Sequence, residues 1–296
     1  MTQDQAPGRP LIFGEVLFDC FPDGARVLGG APFNVAWHAR ALGLDPLLVS
    51  RVGTDEAGDA VLAAMRGWHM DLSGIQRDPD HPTGQVAVTL AAGQPSYAIL
   101  PDQAYDHIAT PAAPAGVALI YHGTLALRHP SSRAALAQVC ADTGAPVFVD
   151  VNLRDPWWDE PTVRARLDAA RWCKLNDQEL ALLAGPGEPV AAARRLIDRH
   201  GLGQVVVTLG AAGAFALSAD GLLANVAPDR SVAVVDTVGA GDAFAATLIA
   251  GLLGSWPVPV TLRRAQQLAS GICARRGAIA HEPDFYRPLL ADAGTP

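Results

Sequence analysis

The sequence predicts an α/β fold, a largely parallel central sheet with helices on both faces and a small β-strand lid beside it. Three observations carry this reading. Apolar β-type runs alternate with helical patterns along the chain, as in βαβ units. Runs such as Val147-Phe148-Val149 are apolar without alternation, as expected of strands covered on both faces. Two segments, residues 15–28 and 84–100, break the rhythm and read as hairpins, the second alternating as Gln85-Val86-Ala87-Val88-Thr89-Leu90.

Taken in order, strands are expected at 11–16, 47–49, 117–121, 147–151 and 204–209. Helices are expected near 34–42, 57–66, 132–141, 163–170, 190–200, 242–253 and 262–275, where the apolar pattern turns helical. No repeat or low-complexity linker divides the 296 residues, which points to one principal domain over 1–296 with lid strands inserted at about 15–28 and 84–100. The opening MTQDQAPGRP has no basic stretch followed by an apolar one and reads as a short frayed leader, not a signal peptide.

Composition narrows the function. Acids outnumber bases 30 to 22, a net charge of −8, and no basic block reverses this locally, which argues against nucleic acid as a partner. No apolar run is long enough to predict a membrane span. Cys20, Cys140, Cys173 and Cys273 are scattered without a C-x-x-C pair and read as buried thiols in a reducing, cytoplasmic setting. The eight histidines show no H-E-x-x-H or similar spacing, so no structural zinc site is expected. Of the 22 bases 21 are arginine, and the one lysine, Lys174, follows Cys173, which excludes a Walker-A loop and a protein-kinase V-A-I-K lysine. A G-x-G-x-x-G turn is also missing after the first strand, where Phe13-Gly14-Glu15-Val16 stands, and this disfavours a Rossmann dehydrogenase.

The segment with the most chemistry is Asp236-Thr237-Val238-Gly239-Ala240-Gly241-Asp242-Ala243-Phe244. It follows a β-branched run (Val232, Val234, Val235) and opens a helix with Phe244, Leu248 and Leu252 on one face. A Gly-Ala-Gly turn leaves amides open at a helix N-terminus, an anion site by geometry and by dipole. From spacing alone Asp242 is either a general base beside that anion site or an ordinary N-cap.

Other segments stand with it. Gly29-Gly30-Ala31-Pro32-Phe33-Asn34 precedes a helix, Asn176-Asp177-Gln178-Glu179 follows Lys174, and Thr208-Leu209-Gly210-Ala211-Ala212-Gly213 follows a buried strand. In this order they resemble the ribokinase (PfkB) family of carbohydrate kinases, from about Leu11 to Arg276. Phe13-Gly14-Glu15-Val16-Leu17-Phe18-Asp19, residues 28–37, Tyr121-His122-Gly123-Thr124-Leu125-Ala126-Leu127-Arg128 and Asp150-Val151-Asn152-Leu153-Arg154 look most like its fructokinase branch.

The resemblance implies a ribokinase-like three-layer α/β/α sandwich and ATP-dependent phosphorylation of a sugar hydroxyl. Asp242 matches the general base, and the amides of Gly239, Ala240, Gly241 and Asp242 match the anion hole. Asn176 and Glu179 match a motif that organises Mg²⁺, largely through water, and phosphate. Thr208, Gly210 and Gly213 match the nucleotide-side loop. Asp19, Gly30 and Asn34 match sugar-hydroxyl positions, and Gly29-Gly30 matches the lid hinge. Asp236, the Val238 carbonyl and carbonyls near 275–277 match a monovalent-cation site, so K⁺ joins ATP and Mg²⁺ as an expected cofactor.

Several residues keep a second reading. Asp19 is a sugar ligand or a surface acid at a strand end, and Asn34 is a sugar ligand or a helix N-cap. Arg154 reaches substrate or pairs with an acid such as Asp150. Trp157-Trp158 reads as packing, and His122 and His129 read as structural. The related 2-keto-3-deoxygluconate kinases carry a Y-x-R element in the second lid strand, whereas this chain has Tyr97-Ala98-Ile99. A neutral sugar is therefore favoured and the fructokinase-like stretches point to D-fructose, with another ketose, 2-keto-3-deoxygluconate or a regulator without catalysis as alternatives. An exposed β lid also offers a surface for a homodimer.

Overall fold

The computed structural model describes residues 8–91, 94–112, 114–228 and 232–291. The leader predicted at the N-terminus falls, up to residue 7, outside the described residues. The chain opens with β1 (Arg9–Phe13), a hairpin of β2 (Leu17–Cys20) and β3 (Arg26–Gly29), α1 (Ala31–Ala41), β4 (Leu47–Gly53) and α2 (Glu56–Gly67). Next come β5 (Ile75–Asp78), a second hairpin of β6 (Gly84–Ala91) and β7 (Gln94–Ile99), β8 (Val117–His122), α3 (Pro130–Thr143), β9 (Val147–Asp150), α4 (Glu160–Asp168) and β10 (Trp172–Asn176). The remainder is α5 (Asp177–Ala184), α6 (Pro189–His200), β11 (Gln204–Thr208), β12 (Ala214–Ser218), β13 (Leu223–Val226), α7 (Ala240–Leu253), α8 (Val258–Cys273) and α9 (Arg287–Ala291).

Among the described residues nine strands form one sheet in the order β13-β12-β11-β10-β9-β8-β1-β4-β5. Neighbours from β11 to β5 pair in parallel, while β11–β12 and β12–β13 are antiparallel. Each parallel strand divides its side chains between two cores. Leu11, Phe13, Ile120, Val147, Val149, Val205 and Val207 face the side covered by α3 to α6, whereas Ile12, Leu119, Tyr121, Phe148 and Val206 face α1, α2, α7 and α8. Burial on both faces explains why these strands lack polar alternation. The layering is the expected three-layer α/β/α arrangement.

The two hairpins join in a second, four-stranded sheet of order β3-β2-β6-β7, with β2 parallel to β6. Arg128 fixes one foot of this lid. Its guanidinium pairs with both oxygens of Asp106 at 2.6 and 2.7 Å and donates to the carbonyl of Leu100, just after β7, at 2.7 Å.

Some boundaries differ from the sequence reading. The strand expected at 11–16 stops at Phe13, because Gly14 turns the chain and donates its N–H to Val49 O at 3.1 Å. The first helix begins at Ala31, since Pro32 in its first turn lacks only an N–H that has no helical partner there. The helix expected at 262–275 begins at Val258. Four strands were not anticipated. β5 reads Ile-Gln-Arg-Asp, β10 carries Lys174 at its centre, and β12 and β13 are short. The four cysteines are free, and no helix among the described residues is long and apolar enough to cross a membrane.

Candidate active site

Parallel strands end on one side of the sheet, and open α/β sheets bind ligands beyond those carboxyl ends. Glu15 follows β1, Asp150 closes β9, Asn176 closes β10 and Thr208 closes β11. Between these strand ends, the lid and the N-terminus of α7 lies a cleft of about 850 Å³. Glu15, Asp19, Gly29, Gly30, Asn34, Arg154, Lys174, Asp236, Val238, Gly239, Gly241 and Asp242 line it.

The turn into α7 is held by Asp236, whose carboxylate accepts from Val238 N at 3.0 Å and Gly277 N at 3.2 Å. One side chain thus ties the turn to the 275–277 segment. Gly239 is the helix N-cap at φ 79°, and a Cβ there would stand 2.5 Å from Ala278 O, so glycine is required on two counts. The amide of Ala240 donates to Thr237 O in a long 3.3 Å bond, while those of Gly241 and Asp242 fall in the first turn, which offers them no helical acceptor. The β-branched run before this turn joins no sheet, and Val234, Val235 and Val238 are exposed.

Two capping alternatives fail here. Gly239 caps α7 and Gly30 caps α1, which puts Asp242 and Asn34 inside their helices rather than at the ends. Instead the two meet across the cleft floor, where Asn34 Nδ2 donates to Asp242 Oδ2 at 2.8 Å. Burial pushes the Asp242 carboxyl up to about 6; the Asn34 bond pulls the other way, Asp150's charge adds to the rise, and Lys174 and Arg154 oppose it. Glu15 is pushed to about 7, again chiefly by burial, with Arg154 opposing and Asp242 reinforcing. Asp19, in the lid, is raised by burial alone.

Lys174 is buried, with Nζ 2.9 and 2.8 Å from the two oxygens of Asp150, which also accepts from Tyr121 OH at 3.1 Å. Burial works against the ammonium, but Asp150 outweighs it and holds Lys174 above its ordinary range. Nζ lies 3.6 Å from where a Gly241 Cβ would stand, so the one lysine sits against the α7 turn. Because Lys174 occupies Asp150, the pairing of Arg154 with that acid does not form. Arg154 is exposed, bonds Leu153 O at 3.2 Å and faces the cleft.

Residues 21–284 match the pfkB family of carbohydrate kinases. The chain belongs to that family. It is 32% identical to a fructokinase from Klebsiella pneumoniae over 83% of this chain and 84% of that protein. Fructokinase-1 of Zea mays is 30% identical over 82% and 83% of the two chains. A double mutant of Vibrio cholerae fructokinase, solved with fructose, ADP and potassium ion, superposes with a TM-score of 0.81 at 25% identity, covering 97% of this chain and 100% of that one. The protein is an ATP-dependent carbohydrate kinase, similar in sequence to fructokinases, with the ribokinase-like fold.

The kinase carries its remaining candidate residues along the same sheet edge, outside the cleft lining. Asn176 and Glu179 form a capping box at the start of α5. Asn176 Oδ1 accepts from Glu179 N at 2.8 Å, and Glu179 accepts from Asn176 N at 2.9 Å and from Leu153 N at 2.7 Å. Thr208 is the cross-strand neighbour of Asn176. Gly210 (φ 54°) and Gly213 (φ 94°) bound the turn that follows, and a Cβ on Gly213 would collide with the Val226 carbonyl.

The tryptophan pair packs as expected: Trp157 lies under Arg128 at 4.4 Å, and Trp158 donates to Asp155 at 2.7 Å. His122 is buried and bonded to Gly123 O at 2.8 Å, and burial lowers its pKa to about 4. His129 caps α3. Sequence reasoning missed Glu15 and Asn152 as members of the kinase cleft. Asn152 takes φ 40°, a conformation asparagine tolerates better than most residues, and Glu15 was readable only as part of the F-G-E-V-L-F-D stretch.

Proposed function

We propose that the kinase transfers the γ-phosphoryl of ATP to D-fructose, giving fructose 6-phosphate and ADP, with Asp242 as general base. One observation carries this reading. A carboxylate with its pKa raised to about 6 sits in the first turn of α7, beside the Gly241 amide and the Lys174 ammonium, and faces the cleft. The acceptor hydroxyl gives its proton to Asp242, its oxygen bonds to the γ-phosphorus, and the bond to ADP breaks. Charge on the transferring group meets the first-turn amides and the helix dipole, both in place before reaction. Residues 1–296 act as one domain, and lid closure over Gly29-Gly30 would keep water from competing with the sugar.

A polar, neutral ligand suits the cleft. Among the described residues Glu15 Oε2 and Asn34 Oδ1 are buried without a partner, and Asp19 adds a carboxylate from the lid, so the acceptors facing the ligand suit hydroxyl donors. The Tyr97 segment offers no arginine for a substrate carboxylate. Mg²⁺ would neutralise charge on the phosphates. Glu179 and Asn176 fit an indirect role toward it, since both Glu179 oxygens already hold backbone amides and leave water as the bridge. For K⁺, Asp236 holds the amides of Val238 and Gly277, and so the two stretches whose carbonyls would supply the remaining ligands.

A coupled assay of ADP release over a panel of sugars tests the substrate. Fructose is expected to give turnover and 2-keto-3-deoxygluconate little; the reverse order would overturn the neutral-sugar reading. Replacing potassium by sodium or choline salts is expected to lower that rate, and equal rates in all three would remove the Asp236–Val238 cation site.

A further inference from the structure

Among the described residues one group of side chains away from the cleft has metal-ligand character: His81, Asp102 and His107, whose ligand atoms lie within 4.8 Å of one another. The spacing between His81 and His107 in the sequence gives no hint of this. The fold joins them at the base of the second lid hairpin. His81 lies between β5 and β6, where the chain enters the lid, while Asp102 and His107 follow β7, where it leaves. The two imidazoles stack, with centroids 3.8 Å apart at 16°, and both present Nε2 to one oxygen of Asp102, His107 at 2.8 Å and His81 at 3.6 Å.

The surroundings orient these atoms. His81 Nδ1 stands 3.0 Å from Oδ2 of Asp78, a buried carboxylate that Arg51 holds at 2.7 Å. Asp78 Oδ1 also accepts from Asp80 N at 2.9 Å and His81 N at 3.1 Å, which fixes the His81 backbone. A proton on Nδ1, shared with Asp78, leaves the Nε2 lone pair free toward Asp102, the carboxylate–imidazole arrangement that supports a metal ligand. Arg51 also bonds His107 O at 2.9 Å, so one arginine braces both histidine segments. Asp102 itself takes φ 54°, an uncommon conformation for a residue with a side chain.

We propose that His81 Nε2, His107 Nε2 and Asp102 Oδ1 form a binding site for a late first-row divalent cation such as Zn²⁺, clamping the two feet of the lid hairpin. Two imidazoles and one carboxylate suit zinc, nickel or copper better than magnesium or calcium, and three protein ligands leave a position for water. Tetrahedral zinc with bonds of about 2.0–2.1 Å places its ligands roughly 3.3 Å apart, midway between the two separations found here. The site shares no residue with the phosphoryl-transfer cleft and stands or falls apart from the fructose reading.

Chelator-treated protein titrated with Co²⁺, without nucleotide or sugar, reads the site through the cobalt visible spectrum, and Zn²⁺ displacement gives its affinity. One equivalent per chain is expected, with a dissociation constant in the micromolar range or below. Asp102→Asn and His107→Asn each lower affinity at least tenfold, Asp78→Asn lowers it about 10–100-fold, and Asp242→Asn leaves it unchanged. Zn²⁺ is also expected to raise the melting temperature of the wild type and not of folded Asp102→Asn. Failure of the wild type to bind would mean the cluster is only a His–Asp hydrogen-bond network. Binding that survives Asp102→Asn and His107→Asn would place the ion elsewhere. Either result overturns the proposal.

Discussion

Asp242→Asn is expected to lower turnover by ~10²-fold or more while leaving ATP affinity within a few fold. The side chain keeps its volume, and its amide oxygen can still accept from Asn34, 2.8 Å away in the wild type, so the α7 turn and its amides persist. What disappears is the proton acceptor. With the wild-type carboxyl raised to about 6, kcat/KM should fall as pH drops through that region and level off above it, and the variant's residual rate should lose this limb. Stability should move in the opposite sense. A carboxyl whose folded-state pKa lies above its unfolded one loses stability as pH rises toward and through the folded value, because the buried charge is only partly compensated. The variant carries no such charge and is expected to melt no lower than the wild type at pH 8. Retained turnover in the variant would remove Asp242 from the role of base; lost turnover together with a lower melting temperature would point to a collapsed turn.

How much of this was legible in the sequence depended on whether the determinants were local. The D-T-V-G-A-G-D turn is one: Gly239 is demanded by its own positive φ and by the approach of Ala278, and Asp242 follows three residues later in the same helix. Continuous burial in β1, β8, β9 and β11 follows from side chains that alternate between two covered faces, so the central strands were readable as well. What escaped depended on pairing at long range. β10 did not read as a core strand because a lysine stands at its middle, and only the fold shows Asp150, one strand away, accepting that charge. Whether Asn34 caps a helix or faces a sugar was open from spacing alone; the fold makes Gly30 the cap and bonds Asn34 to Asp242, 208 positions away. Glu15 likewise gains its raised pKa from burial that no neighbour in sequence reveals. The His81–Asp102–His107 cluster escaped for the same reason, since its members come from two separate approaches to the lid.

Lys174→Met is expected to lower the melting temperature by on the order of 10 °C. The ammonium sits between both oxygens of Asp150, and the side chains are 8% and 2% exposed, so the substitution strands a buried carboxylate that keeps, among the described residues, Tyr121 OH as its side-chain donor. Breaking a buried pair from one side costs about 3–5 kcal/mol, far more than an exposed ion pair contributes. Each kcal/mol shifts the melting point of a chain somewhat smaller than this one by about 2–4 °C. Pairing Lys174→Met with Asp150→Asn removes the stranded charge, and most of the lost stability should return, because a neutral buried pair avoids the desolvation cost that the ion pair bore. Turnover should not return with it. Lys174 Nζ also borders Gly241, where it supplies positive charge beside the proposed anion hole, and neither methionine nor asparagine restores that. A double variant that melts near the wild-type temperature and turns over at the wild-type rate would confine Lys174 to holding β9 and β10 together. One that is stable but slow would assign the only lysine in the chain to phosphoryl transfer as well.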